Sequence, residues 1–126
     1  MMVRCLIVDD SPGFLAAARR LLERQGVTVA GVASNGDEGV RRAEELRPDV
    51  VLVDIELGGE SGLELTERLH RAPRPFRTIL ISTRAEQDYR DLITTNPAVG
   101  FLPKTALSAA AIEALLADSA TEPEDR

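Results

Sequence analysis

Short apolar runs alternate with stretches of helical periodicity along this chain. Apolar runs at 3–8, 27–33, 50–54, 76–81 and 98–102 predict five strands. Between them, apolar residues recur at spacings of three and four, as one face of a helix requires. Phe14, Leu15, Ala18, Leu21 and Leu22 give a first helix its inner face. Val40, Ala43 and Leu46 do the same over 37–46, and Leu65 and Leu69 in a third helix. Tyr89, Leu92 and Ile93 mark a shorter fourth helix, and Ile112, Leu115 and Leu116 a fifth.

Local chemistry places the ends of these elements. Ser11-Pro12 reads as an N-cap followed by proline at the first helical position, and Gly26 closes that helix. Arg47-Pro48-Asp49 stops the second helix, whose solvated side carries the i,i+4 pairs Glu38–Arg42 and Arg41–Glu45. Ser61 with Glu64, and Thr83 with Glu86, have the spacing of capping boxes, and Ser108 caps the fifth helix. Gly58-Gly59 predicts a loose, mobile turn. The segment 70–77, with its prolines and the basic side chains of His70, Arg71, Arg74 and Arg77, reads as a solvated loop. Residues 117–126 are small, acidic and proline-containing, and are expected to fray.

Strict alternation of strand and helix predicts an α/β fold. It is a doubly wound (βα)5 arrangement, a parallel five-stranded sheet in the flavodoxin-like order 2-1-3-4-5. Ligands of such sheets bind beyond the carboxyl ends of the strands, at the switch point between the first and third. Four of the runs end there in a polar residue that a buried strand does not need. The first runs into Asp9-Asp10, the third into Asp54, the fourth into Ser82 and the fifth into Lys104. Parallel strands bring these residues to one edge.

At 126 residues, 44% of them hydrophobic, the chain is sized for one domain, expected over 1–118 with a flexible acidic tail over 119–126. A net charge of −6 argues against a nucleic-acid partner, which needs a basic footprint, and gives no reason to invoke a membrane surface. No apolar run approaches the roughly 18 residues of a spanning helix. With a strand at the start and no signal peptide, the expected compartment is the cytoplasm. The single Cys5 lies inside an apolar run and is expected to pack as a small hydrophobe. Of 15 basic residues Lys104 is the only lysine, a compact point charge kept against a strong arginine bias.

The converging residues define a chemistry. Two carboxylates about 5 Å apart repel by roughly 3 kcal/mol at an effective dielectric of 20, so three require counter-charge. Lys104 supplies one positive charge, and an all-oxygen ligand set suits Mg²⁺, which keeps several waters and commonly binds phosphate as well. There is no Cys/His cluster for zinc. With a cation, an ammonium and a hydroxyl donor nearby, an Asp carboxylate can attack phosphorus and become an aspartyl phosphate.

In order and spacing these elements resemble the receiver domain of two-component response regulators. The likeness covers residues 3–118. It rests on Val8-Asp9-Asp10, Pro48-Asp49-Val50-Val51-Leu52-Val53-Asp54, Gly62-Leu63-Glu64-Leu65, Ile79-Leu80-Ile81-Ser82 and Gly100-Phe101-Leu102-Pro103-Lys104. The resemblance implies a bacterial-type phosphorelay switch with Asp54 as phosphoacceptor. It implies Mg²⁺ bound by Asp10, by Asp9 mainly through water, by Asp54 and by the backbone carbonyl of Glu56. Ser82 would hydrogen-bond the phosphoryl group and Lys104 would ion-pair with it. Phe101 takes the aromatic switch position, turning inward when Ser82 moves. Glu56, Thr83 and Arg84 would tune access and phosphoryl lifetime, Glu56 and Arg84 by pairing across the mouth of the site. The phosphodonor would be a sensor histidine kinase or a histidine phosphotransfer protein. The output would be a downstream protein effector, or a phosphorylation-dependent homodimer, at the fourth helix, fifth strand and fifth helix. Where the family often has proline four residues after the phosphoacceptor, this chain has Gly58, and Asn96-Pro97 replaces a small turn before the fifth strand.

Three other readings stand beside this one. A pseudo-receiver would use the same surface for binding alone. A phosphatase with an Asp nucleophile needs Asp-x-Asp near the first strand, whereas Asp54-Ile55-Glu56 lies on the third. A flavin carrier needs a hydroxyl-rich phosphate loop where this chain has Asp9-Asp10.

Overall fold

The fold is taken from a computed structural model that describes residues 2–120. Its strands are β1 (Arg4–Val8), β2 (Thr28–Ala33), β3 (Val50–Asp54), β4 (Thr78–Ser82) and β5 (Gly100–Pro103). They form one parallel sheet in the order β2-β1-β3-β4-β5. The predicted (βα)5 architecture and strand order are therefore observed. Its helices are α1 (Pro12–Arg24), α2 (Gly36–Leu46), α3 (Gly62–His70), α4 (Arg90–Thr94) and α5 (Ala109–Ala120).

The continuous apolar character of β1, β3 and β4 follows from burial on both faces. Cys5, Ile7, Val50, Leu52, Ile79 and Ile81 face a core shared with Leu15, Ala18 and Leu22 of α1 and Ile112 and Leu116 of α5. Leu6, Val8, Val51 and Val53 face Ala43 of α2 and Leu65 and Leu69 of α3. Burial of the Cys5 thiol pushes its pKa up to about 12, which leaves it inert at neutral pH. A third cluster, Ile55, Leu80 and Phe101, lies beneath Tyr89 and Ile93.

Register turns the strands into a scaffold for one edge. Val8 pairs with Val53, Asp54 with Ile81 and Ser82 with Pro103. Asp9 and Lys104 follow the last paired residues of β1 and β5. The sequence periodicities thus deliver every polar strand end to the same side of the sheet.

Several ends differ from the sequence expectation. The Ser11 and Ser61 hydroxyls cap α1 and α3 by accepting from the Phe14 and Glu64 amides, and Ser108 caps α5 at the Ala111 amide, as expected. Among the described residues the Glu64 carboxylate does not return a bond to the Ser61 amide, so the box there is half formed. Helix α2 starts at Gly36, capped by Asn35, whose Oδ1 accepts from the Glu38 amide at 2.9 Å. Its Glu38–Arg42 pair forms at 3.7 Å, while no Arg41–Glu45 pair occurs among the described residues. The Thr83/Glu86 capping box does not form. The Ser82 hydroxyl takes the local amide, accepting from the Arg84 N–H at 3.0 Å. The chain then enters a 3₁₀ turn (Glu86–Tyr89) from Ala85, which gives no side-chain cap, so α4 is only five residues long. Leu92, expected to face inward, is 55% exposed. Residues 117–120 continue α5 instead of fraying, and the remainder of the acidic tail lies outside the described residues.

Gly58-Gly59 is a tight turn, not a loose one. Two-residue strands, Glu56–Leu57 and Glu60–Ser61, pair antiparallel around it. Both glycines have positive φ, +52° and +100°, as a type I′ hairpin turn requires. Glu60 ties the hairpin to α2, its Oε1 accepting from the Gly36 amide at 2.9 Å. Among the described residues, no helix is long and apolar enough to cross a membrane.

Candidate functional site

The carboxyl edge of the sheet opens into a cavity of ≈ 700 Å³, whose lining includes Asp10, Asp54, Glu56, Ser82, Thr83 and Lys104. The end of β3 delivers Asp54. The loop after β1 delivers Asp9, which is fully buried, and Asp10, which is exposed. One oxygen from each of these three carboxylates lies within 4.8 Å of the other two. The sequence-predicted acidic cluster is therefore assembled.

Each carboxylate is held differently. Asp54 Oδ1 accepts from the Glu56 amide at 3.1 Å, and its Oδ2 accepts from Lys104 Nζ at 3.3 Å. Asp9 Oδ1 accepts from the Ser11 amide at 2.8 Å. The other Asp9 oxygen receives no aligned hydrogen bond, although the Lys104 ammonium stands 2.6 Å away as a point charge. A buried carboxylate oxygen with spare acceptor capacity, inside an all-oxygen cluster, suits a hard divalent cation such as Mg²⁺. Asp9, Asp10 and Asp54 thus fit the metal that their chemistry calls for.

Burial pushes the Asp54 carboxyl up to about 6; the Glu56 amide opposes this, the charge of Asp9 adds to it, and Lys104 opposes it. Burial pulls the Lys104 ammonium down, but Asp9 and Asp54 outweigh that, so its net shift is upward. The site therefore keeps its lysine charged beside a carboxylate that is reluctant to ionise. Such opposed tendencies mark a place built for added charge or added cation.

The remaining predicted residues fall around this centre. Ser82 is buried at the end of β4, its hydroxyl engaged by the Arg84 amide. Thr83 is exposed on the cavity wall. Phe101 is 8% exposed and already turned into the third core cluster. The pairing of Glu56 with Arg84 does not occur. The Glu56 carboxylate instead accepts from the Tyr89 hydroxyl at 2.9 Å, and Arg84 contributes its backbone amide to Ser82. The tyrosine wins because the 3₁₀ turn swings its phenol to the mouth, while its ring packs against the third core cluster.

Sequence reasoning missed three contributors. Tyr89 reads from sequence as helix packing or as an interface anchor, not as a partner of Glu56 at the mouth of the site. The Gly58-Gly59 hairpin was readable from two adjacent glycines between short strands, and it brings Gly58 so close to Asp10 that a Cβ would lie 2.6 Å from its Oδ2. Gly62 backs directly onto the Asp54 carbonyl, leaving no room for a Cβ. Tight approach of α3 to the end of β3 is the physical reason for glycine there.

The comparisons agree with this geometry. The family model for the response regulator receiver domain matches residues 5–116. The chain is 32% identical over 115 residues to response regulator GacA of Pseudomonas viridiflava, covering 90% of this chain and 54% of that protein. It is 34% identical over 123 residues to transcriptional regulatory protein LiaR of Bacillus subtilis (strain 168), covering 97% and 58%. The chain thus spans about half the length of the curated relatives it matches. Among solved structures, it superposes on the signal receiver domain of the putative response regulator NarL from Mycobacterium tuberculosis with a TM-score of 0.80. That match has 27% identity and covers 96% of this chain and 98% of that one. A LuxR-family two-component response regulator from Aurantimonas sp. SI85-9A1 gives 0.83 at 29% identity, covering 93% and 86%. Sequence and backbone agree over nearly the whole described fold, and the chain belongs to the response regulator receiver domain family.

Proposed function

We propose that this receiver domain is a phosphoacceptor switch that takes a phosphoryl group on Asp54 from a phosphohistidine of a sensor kinase or phosphotransfer protein. The observation that carries this reading is the juxtaposition of Asp54 with Asp9, Asp10 and the Lys104 ammonium at one buried edge. An Asp54 oxygen attacks phosphorus, the P–N bond to the donor imidazole breaks, and the histidine nitrogen leaves with the electron pair. Mg²⁺, when held by Asp9, Asp10, Asp54 and the Glu56 carbonyl, supplies neutralisation of the phosphoryl oxygens. Lys104 ion-pairs with one such oxygen. The Ser82 hydroxyl donates to another, and the movement toward it takes the hydroxyl away from the Arg84 amide that it now accepts from.

That exchange at Ser82 moves the segment after β4, whose Tyr89 packs against the cluster that holds Phe101. The ligand-linked change is a population shift toward a conformation with a different α4–β5–α5 surface. A downstream protein, or a second copy of the chain, reads that surface, and the setting is the cytoplasm. The domain spans residues 1–118, and it is a switch that hydrolyses its own acyl phosphate, not a turnover enzyme.

Incubation with acetyl phosphate and Mg²⁺, read by intact mass, tests this. One phosphate adduct per chain is expected, absent in Asp54→Ala and absent with chelator. Lack of an adduct with any donor would leave a pseudo-receiver. Sustained turnover of a phosphomonoester would make the protein a hydrolase.

A further inference from the structure

Lys104 is held on three sides. Its Nζ stands 2.6 Å from Asp9 Oδ2 and 3.3 Å from Asp54 Oδ2, and it lies 4.2 Å from the centroid of the Phe14 ring. An ammonium within about 6 Å of an aromatic face is attracted by the ring quadrupole, more strongly when water is excluded. The Lys104 side chain is 13% exposed, so water is largely excluded here.

The ring's position is fixed by the same short turn that carries Asp9. The Asp9 carboxylate accepts from the Ser11 amide, and the Ser11 hydroxyl accepts from the Phe14 amide at 3.2 Å. The half-buried Phe14 side chain packs on the core shared by α1 and α5. Asp9 and Phe14 therefore form one rigid unit gripping a lysine that arrives from the far end of the chain. A lysine stem is flexible and its ammonium has no preferred direction of approach. The two carboxylates alone do not fix it, because the charge on Asp54 changes when that residue is phosphorylated. The charge distribution of the ring does not change.

We propose that Phe14 is a positioning residue, a cation–π support that keeps the Lys104 ammonium aimed at Asp54 through the reaction. Its role in phosphoryl transfer rests on the function proposed above, whereas the contact itself does not.

The only lysine of the chain gives a single set of lysine side-chain NMR signals, and these read the contact directly. In Mg²⁺-free protein at fixed pH, the ring current should displace the Lys104 Hε resonances upfield from those of a free lysine. Phe14→Tyr and Phe14→Trp should keep that displacement, and Phe14→Leu should abolish it. Phe14→Met, which also lacks the aromatic face, serves if the leucine variant fails to fold. Phosphorylation of the leucine or methionine variant by acetyl phosphate should slow roughly three- to tenfold, with recovery in the aromatic variants. Undisplaced Lys104 signals in the native protein, or signals unmoved by losing the ring, overturn the contact. Unchanged phosphorylation rates with the ring gone overturn the positioning role. If even the native protein takes no phosphate, the phosphoacceptor reading fails while the NMR signal still decides the contact.

Discussion

Asp54 is pulled in opposite directions by burial and by its partners, and the outcome is measurable as a pH dependence. Burial pushes its carboxyl up to about 6 in the folded protein, from an ordinary value of 3.8. A pKa raised on folding favours the folded state at low pH, fully below about 4, and that advantage is lost as pH rises through 6. At pH 7.5 without Mg²⁺, the ionised carboxylate costs the fold up to about 3 kcal/mol. Asp54→Asn should then be more stable than the native chain at pH 7.5 in chelator, by about 1 to 3 kcal/mol in urea unfolding, with the gain gone near pH 4. An equal gain at both pH values would remove the carboxylate as the cause. A second residue-scale prediction concerns Asn96, where the sequence departs from the small turn usual in the family. Its Oδ1 lies 2.8 Å from the fully buried Thr66 hydroxyl and accepts from the Ala98 amide at 3.0 Å, while its Nδ2 donates to the Leu63 carbonyl at 3.2 Å. Asn96 thus keys the start of the last βα unit into α3. Asn96→Ala should destabilise by about 1 to 3 kcal/mol, since buried partners lose their bonds. Thr66→Val in the same background should add less than it does alone, a coupling that a double-mutant cycle in urea would measure.

Among elements, the Glu56–Leu57/Glu60–Ser61 hairpin forms the wall of the cavity beside Asp10. Gly58 at φ +52° adopts a conformation that costs an L-residue about 1 to 2 kcal/mol. Any Cβ there also meets the Asp10 carboxylate. Gly58→Ala should therefore lower stability by about 1 to 2 kcal/mol and weaken Mg²⁺ binding by calorimetry about tenfold or more, because Asp10 must swing away. Gly59→Ala has the same backbone penalty but nothing within 4 Å of its Cβ, so it should lose stability with little loss of Mg²⁺ affinity. Equal loss of affinity in both variants would mean that the hairpin fold, not Asp10, is what matters. The contrast between elements also explains what could be read in advance. Strands β1, β3 and β4 were legible because both of their faces are buried, which writes an unbroken apolar run into the sequence. The acidic cluster was legible for the same reason, since a polar residue ending such a run stands out. The region after β4 was not, because Ser82 and Thr83 both offer a hydroxyl and sequence spacing cannot say which one takes the local amide. The Phe14–Lys104 contact was not legible either. Periodicity says only that Phe14 faces inward, and its neighbour is set by the sheet order, not by local sequence.

Across the whole molecule, stability and responsiveness are segregated. The central strands have every side chain of β3 and β4 buried, while the 3₁₀ turn and α4 bury none of theirs fully. Tyr89 is the exception in kind: its ring lies half-buried against the Phe101 cluster, and its hydroxyl reaches the Glu56 carboxylate at the site mouth. This side chain therefore ties the weakly buried 86–94 stretch to the wall of the acidic cavity. Segments with few buried contacts open at low free energy, well below global unfolding. Amide hydrogen exchange should therefore be fast over 86–94 and slow by orders of magnitude in β1, β3 and β4. Tyr89→Phe keeps the ring and removes the hydroxyl bond, worth about 0.5 to 1.5 kcal/mol, so exchange over 86–94 should rise roughly two- to tenfold with the central strands unchanged. Glu56→Gln keeps an acceptor oxygen for the phenol and should raise it less. If Tyr89→Phe leaves exchange over 86–94 at the native rate, the site mouth and the α4 segment are not coupled through this bond. The switch proposed above would then rest on the Ser82–Arg84 exchange alone.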